Sequence, residues 1–118
     1  MPVETLRFRR DFLAVNAGRR WHTPGFILLA LRRDDTAACA RVGITVTKKI
    51  GGAVVRNRLK RRLRSAIRAV VPQHGRAGTD YVLIGRSDGL SRPMIDLMRD
   101  LTQGLQKLSK SRPLEQKA

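Results

Sequence analysis

Residues 42–64 read VGITVTKKIGGAVVRNRLKRRLR, and the two halves of this stretch follow two different periods. In the first half Val42, Ile44 and Val46 alternate with Gly43, Thr45 and Thr47. A period of two predicts a strand over 41–47 with one buried face. Gly51 and Gly52 break the chain. Beyond them the period becomes helical: at about 100° per residue, Leu59, Leu63, Ala66, Ile67 and Val70 share one side. A long helix over 53–71 is expected, stopped by Pro72. Asn57, Arg61, Arg64 and Arg68 lie opposite its apolar stripe. Lys60 and Arg58 flank that line, and Arg56 and Arg62 sit nearer the apolar edges.

The rest of the chain supplies what this strand and helix pack against. Upstream, Phe8, Phe12 and Val15 are spaced to share one face of a short helix that Gly18 closes. A connector over 19–24 follows, with room for a short strand. The apolar run 25–31 reads as a buried strand, and Asp34-Asp35 as a turn. Downstream, Tyr81-Val82-Leu83-Ile84 marks a further buried strand over 80–86. Ser91 and Pro93 stand where a last helix would begin. Met94, Leu97, Met98, Leu101, Leu105 and Leu108 form its apolar stripe. The order helix, strands, helix, strand, helix makes the fold class α+β, a small sheet packed on helices. The tail 111–118 is polar, and disorder is expected there.

With 118 residues there is room for one domain and not two. A hydrophobic fraction of 42% supports a real core and excludes a disordered basic tail. Cys39 is the single cysteine, so no intramolecular disulfide forms and a reduced, cytoplasmic setting is expected. The opening residues, MPVETLRFRRDF, hold no apolar run suited to a signal segment. The longest apolar run, 26–31, is far too short to span a bilayer.

The charge is what the fold must explain. There are 25 Lys and Arg against 9 Asp and Glu, a formal net charge of +16. Between Asp35 and Asp80 lie 44 residues with 11 of these cations and no carboxylate. A solvated helix face usually alternates signs and gains ion pairs at i,i+4. This one places like charges at i,i+4, which destabilises the free protein. A polyanion would supply the missing charge, several phosphates at once along the helix. Asn57, the neutral polar residue among them, suits a phosphate, a base edge, a hydrated metal ion or plain helix-start duty. Gly51-Gly52 allows close backbone approach to a phosphate or simply makes a turn. No GK[ST] follows, so this is not a nucleotide-binding P-loop.

Protein-only phosphodiester cleavage would call for clustered carboxylates or paired histidines. His22 and His74 sit in loops, and the adjacent acids Asp34-Asp35 read as a turn. No catalytic residue and no metal ligand is assigned. A basic amphipathic helix also suits a membrane surface, but the interrupting strands and full core argue against that use.

The stretch 42–64 resembles the central motif of the bacterial ribonuclease P protein subunit: a Lys-Lys pair, then Arg-Asn-Arg on a helix, then further basic residues. The flanks agree more loosely, through Asp11-Phe12, Phe26, Asp80-Tyr81-Val82 and the C-terminal helix, so the resemblance covers about 6–110. It implies an α-β-β-β-α-β-α order, a four-stranded sheet and a left-handed β-α-β crossover, against the usual hand. It implies a protein that binds a catalytic RNA and precursor tRNA, and supports endonucleolytic removal of the 5′ leader. In such a holoenzyme the RNA does the chemistry and holds most of the Mg2+; no membrane or small-molecule substrate is implied. Carried over by position, Lys48, Lys49, Arg56, Asn57, Arg58, Lys60, Arg61 and Arg62 look like the RNA-facing set, which Arg64 and Arg68 extend along the helix. The resemblance also implies a leader cleft between the first helix and the sheet, involving Phe8, Phe12, Asn16, Phe26 and Leu29. Asn16 and Leu29 stand where the family commonly has aromatics. Phe8, Phe12 and Phe26 each suit stacking on unpaired bases or a place in the core, and Trp21 suits RNA stacking or a half-buried loop anchor. The competing reading is a structural RNA-binding protein of the ribosomal type, with no processing role.

Overall fold

The computed structural model describes residues 1–33 and 37–109. The Asp34-Asp35 turn and the 111–118 tail lie outside the described residues. The elements are β1 (Val3–Thr5), α1 (Arg9–Val15), β2 (Arg19–His22), β3 (Phe26–Arg32), β4 (Ala40–Thr45), α2 (Ala53–His74), β5 (Thr79–Gly85) and α3 (Met94–Ser109). They build one mixed sheet in the order β1-β4-β5-β3-β2. β4 pairs parallel with both β1 and β5, whereas β3 pairs antiparallel with β5 and β2. The crossover from β4 to β5 runs through α2, so the basic helix is the connection that makes the parallel pair. The radius of gyration of 13.5 Å is that of a single compact domain of this length.

Five strands form where four are expected. The additional strand is β1, three residues whose side chains are half-buried or exposed. So short a segment carries no readable period, and it is fixed by its pairing with β4 rather than by its own pattern. The 19–24 connector does hold a strand, β2. Two helix ends also differ from expectation. α2 runs past Pro72 to His74. Proline fixes a helical φ and disfavours helix mainly at the residue before it. That residue, Val71, is fully buried, and its carbonyl accepts from Gly75 N–H at 2.8 Å. At the last helix, Ser91 N–H instead closes a turn onto Asp88 O, and the Pro93 carbonyl accepts the first helical bonds, from Asp96 and Leu97.

The sheet separates two cores. On one face α2 and α3 pack together, and Leu59, Leu63, Val71, Leu97 and Leu101 are fully buried beside Phe26, Leu28 and Leu83. Burying each such leucine contributes about 2 kcal/mol. On the other face α1 lies over a smaller cluster of Leu6, Val15, Leu29 and Val82, with Phe12, Ile27, Leu31 and Ile84 at its margin. β3 feeds both clusters, Phe26 and Leu28 one, Ile27 and Leu29 the other. A strand buried on both faces is apolar throughout, which is why 25–31 shows no alternation.

A buried charge cluster ties the strands together at one end of the sheet. Asp80 is 3% exposed and accepts from Arg33 Nε at 2.9 Å and from Arg41 Nε and NH2 at 2.8 and 2.6 Å. Burial pushes its carboxyl up, but the two guanidinium groups more than offset this and hold it below the usual carboxylate range. Arg41 also reaches Asp11 of α1 at 3.6 Å. The short helix is thus held over the sheet by an ion pair as well as by Val15.

Candidate nucleic-acid interface

α2 divides its side chains as its period predicts. Leu59, Leu63, Ala66, Ile67, Val70 and Val71 are buried, while Asn57, Arg58, Arg61, Arg64 and Arg68 are exposed. Asn57, Lys60, Arg61 and Arg64 line one shallow groove along the outer face with Val54. Nothing acidic stands in the first turn of α2. Lys48 and Lys49 are exposed on a 3-10 turn, Lys48–Ile50, that leads into the helix. Gly51 follows at φ +152, a backbone geometry that favours glycine; its N–H donates to Lys48 O at 3.2 Å. The turn itself therefore accounts for Gly51.

Two of the basic residues assigned to this face are placed differently. Arg62 turns inward: its Nε donates to Gly89 O at 2.9 Å and its NH2 to Arg92 O. It fastens α2 to the start of α3, and we place it in the scaffold. Its position near the apolar edge is shared with Arg56, so the helical period alone does not send it inward. Arg56 is half-buried, and its Nε is shielded with no hydrogen-bond acceptor among the described residues.

The second feature is a groove of about 550 Å3 between α1 and the sheet. Phe12, Leu13 and Asn16 form the helix side, Val82 and Ile84 the floor, Thr45 and Thr47 the far wall. Arg7 and Arg9 stand at its mouth. Phe12 is half-buried, and its ring rests on Gly43, where an added Cβ would come within 2.4 Å of it. Only glycine leaves room for the ring at that point of β4. Phe12 therefore both caps the smaller core and presents an aromatic surface.

Three of the expected cleft residues are not in this groove. Phe26 is fully buried on the opposite face of the sheet, under α2 and α3. Leu29 is on the α1 side but fully buried beneath the helix. Phe8 is 56% exposed, with the Arg10 guanidinium 5.0 Å above its ring. Arg7, Arg9, Leu13, Thr45, Thr47, Val82 and Ile84 also line the cleft, beyond the residues that the resemblance implies. The Arg-rich start of the chain and the period-two alternation that sets Thr45 and Thr47 on one face of 41–47 are the available signals. Trp21 lies on β2, packs against the main core and abuts Gly104 of α3. That is an anchor role, on a strand rather than in a loop.

The family model described as Ribonuclease P matches residues 2–109. The chain belongs to the ribonuclease P protein family. The ribonuclease P protein component of Ruegeria pomeroyi is 49% identical over 94% of this chain and 90% of its own length. That of Paramagnetospirillum magneticum is 47% identical, over 90% and 83%. The solved ribonuclease P protein of Thermotoga maritima superposes with a TM-score of 0.72 at 29% identity, covering 92% of this chain and 98% of that one. A general role in tRNA processing follows from the ribonuclease P family. No helix among the described residues is long and apolar enough to cross a membrane.

Proposed function

We propose that this chain is the protein subunit of a cytoplasmic ribonuclease P holoenzyme, binding both the catalytic RNA and the 5′ leader of precursor tRNA. The observation that carries this reading is the outer face of α2, where Asn57, Lys60, Arg61 and Arg64 line one groove with no acid among them. Such a face gains affinity by releasing counterions from phosphates. Lys48, Lys49, Arg58 and Arg68 extend it, and the half-buried Arg56 stands at its margin. The α1 groove is the site for single-stranded leader. Arg7 and Arg9 meet its phosphates, and Phe12 offers a stacking surface that does not read sequence. Sequence tolerance suits substrates whose leaders differ.

Endonucleolytic cleavage belongs to the RNA subunit in this reading, and Mg2+ supplies charge stabilisation and the activated water of hydrolysis there. The described residues offer no cluster of ligands for Mg2+. Among the described residues no three His, Cys, Asp or Glu side chains gather, and buried Asp80 is occupied by two arginines. The protein's contribution is binding, which lowers the Mg2+ concentration at which the RNA works.

The test is reconstitution with the cognate catalytic RNA, scored for 5′-leader removal at low Mg2+. Cleavage that depends on added protein is expected. Cleavage equal with and without it would leave the structural RNA-binding alternative.

A further inference from the structure

A third groove, of about 480 Å3, opens where the edge of the sheet meets the flank of α2. Its volume is that of a small-ligand site. One wall is β1 and the end of β4. β1 covers β4 only from Ala40 to Val42, closing with Leu6 N–H to Val42 O at 2.9 Å. Past that point Gly43 and Ile44 line the groove at an edge that no strand among the described residues covers. The other wall is Lys60, Arg64 and Arg68. These cations repeat every fourth residue, about 6 Å apart along the helix. The floor between the walls is apolar, made by Leu6, Phe12 and Ile67, and Glu4 is the single acid on the lining.

The groove joins the two surfaces already described. Phe12 lines both this groove and the α1 groove. Lys60 and Arg64 line both this groove and the outer face of α2. A strand leaving the α1 groove past Phe12 enters this one, and leaving it reaches the basic helix.

We propose that this edge groove is a nucleotide subsite for single-stranded RNA, taking an unpaired base on its apolar floor and the adjoining phosphates on Lys60, Arg64 and Arg68. The proposal rests on the reading of the α1 groove as a single-strand cleft and extends the path of that strand around the end of β1. An open strand edge also invites an added peptide strand. The two walls decide between them: three cations select an anion, and the apolar floor beside an aromatic selects a flat ring. RNA carries both in every residue.

The experiment uses the full chain and fluorescein-labelled oligouridylates of increasing length, followed by fluorescence anisotropy at fixed salt. Affinity is expected to rise with length until both grooves are filled. Thr5 is exposed and lines only the edge groove of the two. Thr5→Trp fills it and Thr5→Glu opposes its charge. Each is expected to remove the final gain in affinity, about tenfold, while the shortest strands that bind keep their affinity and so report an intact fold. If both variants match the parent at every length, the edge groove is off the strand's path and the proposal falls, with the α1 reading still standing. If the parent binds no length, the α1 reading falls and takes the proposal with it. An acidic peptide of equal charge that competes as well as the RNA would overturn the assignment to a nucleotide.

Discussion

Arg61 and Arg62 are neighbours of equal charge, and the structure gives them opposite tasks. Arg62 donates to the carbonyls of Gly89 and Arg92, some thirty residues away in sequence, whereas Arg61 is exposed on the outer groove. Arg62→Ala removes two charge-assisted hydrogen bonds. At about 1.5 kcal/mol each, the lower end of the range because the site is only partly buried, the loss is about 3 kcal/mol. For a domain of this size each kcal/mol moves Tm by about 3–6 °C, so a fall of about 9–18 °C is expected. Arg61→Ala should stay within about 0.5 kcal/mol of the parent. The RNA-binding effects reverse. Loss of one phosphate contact lowers the slope of log affinity against log salt by about 0.9, and this should happen for Arg61→Ala and not for Arg62→Ala. The assay pairs thermal melts followed by circular dichroism with catalytic-RNA binding across a salt series. A stable Arg62→Ala protein with a reduced salt slope would refute the division of the helix into an inner and an outer face.

Phe12→Ala should reduce the preference for leader-bearing precursor over mature tRNA, measured as a ratio of affinities; a lower Tm with an untouched ratio would make Phe12 a core residue only. Asp80 gives a pH dependence. Its folded carboxyl is held below the usual range by Arg41 and Arg33, so its contribution is present above the unfolded pKa, about 3.9, and is lost as pH falls through the lower folded value. Stability measured by urea melts should therefore drop below about pH 4, and Asp80→Asn should flatten that part of the profile; an unchanged profile would remove Asp80 as its source.

Much of this fold is legible because α2 carries two messages in one period. Leu59, Leu63 and Ile67 mark the side that is buried, and Arg61, Arg64 and Arg68 mark the side that stays out. Residues whose neighbours are distant in sequence are less legible. Arg62 is cationic like the rest, and only the carbonyls of Gly89 and Arg92 give it an inward destination. Phe26 and Leu29 are three apart in a strand and so face opposite sides, but the run is apolar on both faces, so nothing local says which side lies under α1. β1 is too short for any pattern, and it exists because β4 has a free edge. At the α1 groove Phe12 was legible as an exposed aromatic or a core residue, and it serves as both because Gly43 leaves space for its ring.

The central claim is that the outer face of α2 holds RNA through its phosphates. Its most direct test is the salt dependence of catalytic-RNA affinity for the triple change Arg61→Gln, Arg64→Gln and Arg68→Gln, made in a protein whose Tm is checked first. All three side chains are exposed, so the fold should hold. The slope of log affinity against log salt should fall by about 2–3. A triple variant with the parent's affinity and the parent's slope would contradict the account.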